Sequence, residues 1–180
     1  MPSIYLSPST QEFNPYVGEG NEELYMNLIA DAMEPYLYAS GIKFTRNTPD
    51  MTAASSIRAS NAENYDLHLA LHSNASGTGD GSVRGSEVYY FPTSTKGKRA
   101  ADIIANNLKL IYPLPNQVKT VSTTKIGEVS KTKAPGVLIE IAYHDNKADA
   151  DWIRNNVDNI AQNIALSVAD YLNVPFVMPW

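Results

Sequence analysis

Residues 136–143 read GVLIEIAY, the most apolar stretch of the chain, and they decide the class of fold. A nearly continuous apolar run of this length is typical of a strand that is buried on both faces of a parallel sheet. Comparable runs predict strands at residues 3–7 (SIYLS) and 65–73 (YDLHLALHS). Shorter strands are predicted at residues 43–45, 86–91 and 119–123.

Helical spacing of apolar residues fills the intervals between these strands. The first helix is predicted to begin after Asn21, a good N-cap, and to reach Gly41, with Pro35 expected to kink it or end it early. Further helices are predicted at residues 52–64, 96–111 and 147–172. Strands that alternate with helices predict an α/β fold with a single, mostly parallel, twisted sheet of about six strands and helices on both faces.

The length and composition narrow the possibilities. We expect one domain over residues 1–180, with a core at about 3–172 and a tail at 173–180. The absence of cysteine excludes thiolate metal sites and a cysteine nucleophile. The net charge of −5 argues against nucleic acid or an anionic membrane as a partner, and we expect a monomer. No stretch reaches the roughly 18 apolar residues of a membrane span, and no signal peptide is visible at the start.

Three polar residues stand where an α/β sheet binds its ligands, beyond the carboxyl ends of the strands. Glu140 lies inside the most apolar strand, so its carboxyl group needs a proton or a cation. His72 ends the strand LALHS, and Glu22 opens the first helix. The simpler alternatives are that His72 is a hydrogen-bonded structural residue and that Glu22 only stabilises the N-terminus of the helix. His68, about 13 Å before His72 along the strand at roughly 3.3 Å per residue, is expected to be structural.

Six segments in this order resemble the zinc-dependent N-acetylmuramoyl-L-alanine amidases of autolysins and phage endolysins, the type 3 amidases. In that family the first strand ends in D-P-G-H-G, a Glu stands at the start of the first helix, and L-T-R follows the second strand. A later strand ends in S-I-H-A-N-A, the next contains G-x-E-x-Y-Y, and L-V-E-x-G-F-x-S-N lies near the C-terminus. The matching segments here are LSPST, NEELYMNLIADAM, FTRNTPD, LALHSNAS, GSEVYYF and VLIEIAYHDN. The resemblance extends from about residue 3 to residue 172.

The resemblance implies a peptidoglycan hydrolase that uses one zinc ion. It would cleave the amide bond between N-acetylmuramic acid and the L-Ala of the stem peptide, and so act at the bacterial cell wall. Glu22 and His72 match the carboxylate ligand and the second imidazole ligand of the metal. Glu140 matches the general base, which takes a proton from zinc-activated water. Asn74 and Arg46 are candidates for contact with the substrate.

The first histidine ligand of the family is absent, because Thr10 stands in the matching place. The third metal ligand is then His144, Glu12 or Thr10, or no protein ligand at all, and of these we favour His144. Two other functions stay open for the same reason. One is a catalytically inactive peptidoglycan-binding domain, and the other is a different zinc peptidase on a similar fold.

Overall fold

The computed structural model describes all 180 residues and contains one sheet of six strands. The strands are β1 (Ser3–Pro8), β2 (Lys43–Arg46), β3 (Leu67–Asn74), β4 (Ser86–Tyr90), β5 (Val118–Ser122) and β6 (Gly136–Tyr143). Their order across the sheet is β2-β1-β3-β6-β4-β5. Every neighbouring pair is parallel except β4 and β6, which run antiparallel, so the mostly parallel sheet is confirmed.

Six α-helices accompany the strands, and the last two follow β6. They are α1 (Glu22–Ala39), α2 (Ala53–Ala62), α3 (Thr95–Leu108), the short α4 (Gly127–Ser130), α5 (Lys147–Asn155) and α6 (Val157–Leu172). Asn21 caps α1 as predicted, since its side chain accepts a hydrogen bond from the amide of Leu24. Pro35 does not end this helix early, because the helix continues to Ala39. Pro35 lies on the exposed side, where water can satisfy the carbonyl group that loses its partner.

The two faces of the sheet are covered very unequally. Alternate residues of β3 and β6, such as Leu69 and Ile139, enter a core of 36 buried residues beneath α1, α3, α5 and α6. The residues between them, such as Ala70 and Leu138, face a small cluster that also contains Val129 of α4. We call this second side, covered by α2 and α4, the thin face. His68, His72 and Glu140 lie on the thin face, because side chains alternate along a strand and these residues share the register of Ala70 and Leu138.

A buried carboxylate fixes the strands next to the site. Asp149 of α5 is fully buried and accepts hydrogen bonds from the amides of Gly85 and Tyr143, the first just before β4 and the second at the end of β6. Arg84 and Tyr112 donate to its other oxygen, at 2.8 Å each. One side chain therefore holds the start of β4 against the end of β6.

The segment after α6 packs back onto the first helix. The ring of Phe176 stacks on Tyr36, and the amide of Val177 donates to Ser40. No helix in the structure combines the length and the apolar character that a membrane span requires.

Candidate active site

Glu22 is held at the site by the start of α1. The cap at Asn21 begins the helix there, so Glu22 stands in the first turn, where it is buried with 1% of its surface exposed. Its Oε2 accepts a 2.7 Å hydrogen bond from Asn14. Its Oε1 lies 2.9 Å from Nδ1 of His72 in an ion pair, yet no donor is aligned with Oε1 as a hydrogen bond. The structure thus brings together two of the predicted site residues.

His72 lies between two carboxylates at the end of β3. While Nδ1 faces Glu22, Nε2 lies 3.1 Å from Oε2 of Glu128. The side-chain amide of Gln11 is also near, with 3.4 Å between its Nε2 and Nδ1 of His72. Both nitrogens of the imidazole ring are therefore in contact with acidic groups.

Glu128 belongs to a buried polar cluster on the thin face, which the sequence analysis did not identify. It projects from the short helix α4 and has 4% of its surface exposed. Its Oε1 accepts hydrogen bonds from the hydroxyl of Ser7 and from Nε2 of His68, the latter at 3.1 Å. Nδ1 of His68 is in turn 2.9 Å from the hydroxyl of Ser60. His68, expected to be structural, is fully buried within this cluster.

Sequence reasoning missed Glu128 because residues 114–133 carry no strong periodicity. A signal was nevertheless present, since two histidines on one face of a strand require polar partners when they are buried. No acid in β3 could supply them. The acid comes instead from α4. The short turn between α4 and Gly136 folds this helix against β6.

Glu140 stands beside His72 across the sheet. The two residues are paired in the register of β3 and β6, and Glu87 of β4 is paired with Glu140 on its other side. Oε2 of Glu140 is buried and has no hydrogen-bond partner. Burial raises the pKa of Glu140 to about 8, although His72 lowers it, and Glu22 and Glu87 raise it further. The structure therefore holds a carboxyl group that can exchange a proton near neutral pH.

The charges around His72 stabilise one another. Burial lowers the pKa of His72, but the contacts with Glu128 and Glu22 outweigh it and raise that pKa to about 10. Burial raises the pKa of Glu128, but hydrogen bonds from His68 and His72 bring it to about 2. Burial likewise raises the pKa of Glu22, which His72 and Asn14 bring below its ordinary value. Near neutral pH these residues form a cation between two anions.

The structure gives His144 partners other than Glu22 and His72. Its Nδ1 lies 3.0 Å from the hydroxyl of Ser73, and its ring stacks on Tyr16 with 5.3 Å between ring centroids. Burial lowers the pKa of His144. The carbonyl group of Asn74 accepts a hydrogen bond from the amide of His144, and the side chain of Asn74 caps the amide of Ala75. The predicted roles of His144 and Asn74 stay predictions.

The other candidates are distributed around the site. Thr10 lines a cavity beside His72, whereas Glu12 is exposed. Arg46 points to α1, where its guanidinium group pairs with Asp31 and Glu34 and also contacts Asn27. Its role in substrate binding stays a prediction as well.

The arrangement of these residues shows how many metal ligands they can supply. A hydrolytic zinc ion takes three protein ligands and keeps one open position. No group of three or more His, Asp or Glu side chains in the structure is arranged to hold a metal ion. Glu22 and His72 supply two donors, and the neutral amides of Asn14 and Gln11 lie next to them. In this arrangement the residues do not provide the three ligands of a hydrolytic zinc site.

A cavity of about 280 Å³ opens next to His72 on the thin face. Seven of the thirteen residues that line it carry hydroxyl or amide side chains, and His72 and Glu128 lie at one side. Its lining includes Ser7, Ser9, Thr10, Gln11, Asn47, Thr52 and Ser56. Such a surface suits a ligand rich in amides and hydroxyls.

Comparisons with known proteins agree with this fold. A family model described as N-acetylmuramoyl-L-alanine amidase matches residues 14–170. The N-acetylmuramoyl-L-alanine amidase LytC of Bacillus subtilis (strain 168) is 30% identical in an alignment of 163 residues that covers 86% of this chain and 32% of that protein. The chain thus spans about a third of the length of this curated relative.

Two solved structures show the same fold. The N-acetylmuramoyl-L-alanine amidase AmiC2 of Nostoc punctiforme has a TM-score of 0.84 and 18% identity, over 96% of this chain and 97% of its own. The catalytic domain of the CD27L endolysin, which targets Clostridia difficile, has a TM-score of 0.75 and 24% identity, over 96% and 98%. The molecule is therefore an α/β domain of the amidase class. The family model covers most of its length, so the chain belongs to the N-acetylmuramoyl-L-alanine amidase family.

Proposed function

We propose that this chain is a peptidoglycan amidase that cleaves the bond between N-acetylmuramic acid and the L-Ala of the stem peptide. The observation that carries the proposal is the pairing of His72 and Glu140 across β3 and β6, with a buried oxygen of Glu140 left without a partner. Membership of the amidase family supports the choice of bond. Bacterial peptidoglycan is the proposed partner, and the cell wall is the proposed place of action.

Glu140 is the residue that moves the proton in this proposal. Hydrolysis of an amide requires a base to take a proton from water and an acid to protonate the departing amine. A carboxyl group with a pKa of about 8 serves both steps near neutral pH, since neither of its forms is strongly disfavoured. The side chain of Glu140 is partly exposed, which gives its carboxyl group access to water, while the buried Oε2 has no hydrogen-bond partner.

The cavity beside His72 is the proposed site for part of the substrate. Muramic acid and its stem peptide present amides, hydroxyls and carboxylates, and the cavity wall offers hydroxyl and amide groups of its own. Asn74 and Arg46 stay proposed contacts with the substrate. Zinc likewise stays a prediction from the family resemblance, with Glu22 and His72 as the residues nearest to a ligand set.

The test is the digestion of purified peptidoglycan, followed by mass spectrometry of the soluble products. We expect stem peptides with a free amino group on L-Ala, and a loss of about 10²–10⁴-fold in their rate of release for Glu140→Gln. Asp102→Asn on the exposed side of α3 is the matched control and should release peptide at the wild-type rate. The digest is repeated with a chelator and with added zinc, because these additions test the metal prediction independently.

A second function is favoured by one observation, namely that only two of the expected metal donors come together. A domain without a complete catalytic site could still bind peptidoglycan. Sedimentation with insoluble wall, without release of peptide under any metal condition, would support this binding function and contradict the amidase. Cleavage at a bond within the stem peptide would instead indicate a different peptidase.

A further inference from the structure

We propose that Glu128 is a positioning residue for His72, holding the imidazole ring by its Nε2 so that Nδ1 is directed to Glu22 and the reacting groups. The proposal deepens the proposed amidase function and rests on it. Neither the sequence motifs nor the family resemblance assigns a role to Glu128.

The contact between the two side chains defines the direction of the hydrogen bond. Oε2 of Glu128 and Nε2 of His72 are 3.1 Å apart, and both groups are buried. An ionised carboxylate can only accept a hydrogen bond, so Nε2 carries the proton and donates it. This bond fixes both the rotation of the ring and the site of one proton.

Glu128 is itself held in place, as a positioning residue must be. Ser7 and His68 donate to its other oxygen, Oε1, from β1 and β3. His68 is fixed by Ser60 and by the ring of Tyr5, which stacks on it with 5.3 Å between centroids. Because Oε1 is occupied in this way, Oε2 remains directed to His72.

The backbone of α4 is fixed against the sheet as well. Val129 of α4 packs on Ala70 and Leu138 on the thin face. A Cβ atom added to Gly136 would lie 2.6 Å from the carbonyl oxygen of Glu128, so only glycine permits this close approach. The carboxylate thus reaches His72 from a segment that packs directly on β6.

Glu128 also brings a carboxylate to the end of β1, a strand that contains no acidic residue. The hydroxyl of Ser7 donates to Glu128. A carboxylate is therefore present at this end of β1, but α4 supplies it.

The experiment combines NMR of the His72 ring with the kinetics of peptide release. In ¹⁵N-labelled wild-type protein we expect a slowly exchanging, downfield proton on Nε2 of His72, assigned by its loss in His72→Asn. Glu128→Gln should lose or strongly shift this signal. It should also lower kcat by about 10- to 100-fold, the usual effect of removing the carboxylate that orients a functional histidine, while KM stays within about twofold. Asp102→Asn is the control for the loss of one negative charge.

Three results would overturn the proposal. The first is a wild-type His72 without a proton on Nε2, which can be measured even where Glu128→Gln does not fold. The second is a lowered kcat with an unchanged His72 signal, and the third is a changed signal with an unchanged kcat. If the wild type releases no peptide, the proposed function fails, while the His72 signal in the two proteins still decides whether Glu128 holds the ring.

Discussion

His72 and Glu140 occupy paired positions on the two central strands β3 and β6, so the imidazole ring and the carboxyl group lie side by side on the thin face. The pairing is a matter of register, since a shift of one residue would turn one of the side chains into the large core. Glu22 and Glu128 reach the same ring from α1 and α4. Side chains from three other segments of the chain therefore converge on one histidine.

The raised pKa of Glu140 predicts a pH-dependent effect of its replacement. Its pKa is about 8 in the folded protein and near 4.5 in the unfolded chain, so its contribution to stability is complete below about pH 4.5 and is lost as the pH rises through 8. The variant Glu140→Gln has no ionisable side chain at this position, so it does not lose stability in this way. We expect the Tm of the variant, relative to that of the wild type, to rise between pH 5 and pH 9.

Thermal unfolding followed by circular dichroism at several pH values checks this prediction. Glu63→Gln, at the end of α2 on the surface, is the control and should show a constant difference in Tm. A difference in Tm for Glu140→Gln that stays flat across this range would contradict the raised pKa.

Gly136→Ala should destabilise the protein and disturb Glu128. The new methyl group would lie 2.6 Å from both the carbonyl oxygen of Glu128 and the hydroxyl of Thr132. Overpacking of this kind costs about 1–3 kcal/mol. The free energy of unfolding in urea measures it, with Gly77→Ala as control, because nothing lies within 4 Å of a Cβ atom at Gly77. Equal stability of the two variants would show that α4 is free to move away from β6.

Asp149→Asn should be strongly destabilising. The carboxylate is fully buried and accepts from Arg84, from Tyr112 and from two backbone amides. Loss of the charge weakens these hydrogen bonds to a buried carboxylate and places an amide N–H₂ group against a donor, which costs about 1.5–3 kcal/mol. Urea unfolding of Asp149→Asn beside the surface variant Asp102→Asn provides the measurement. A loss below 1 kcal/mol would mean that the network contributes little to stability.

Arg46→Gln separates a structural role from a role in substrate binding. Its guanidinium group is occupied by Asp31, Glu34 and Asn27 of α1, so we expect a loss of roughly 1 kcal/mol in unfolding free energy. We expect KM for peptidoglycan fragments to change less than twofold. A rise in KM of tenfold or more with unchanged stability would support the predicted contact with substrate.

Much of the architecture was predictable from local sequence. The apolar runs around Leu69 and Ile139 gave the central strands, and the cap at Asn21 gave the start of α1. These features depend on side chains and backbone within a few residues of each other, so a single sequence carries them. Glu22, His72 and Glu140 were candidates for the same reason, since each stands at a recognisable place at the end of or within such an element.

The sequence by itself determined the α/β class, the six strands, the family and three residues of the candidate site. Only the tertiary structure decided which groups surround His72. Glu128 lies 56 residues further along the chain, and His144 follows β6 directly but packs against Tyr16 and Ser73. Strand periodicity fixes the side of the sheet that a residue faces, whereas contacts between distant segments depend on how the whole chain packs.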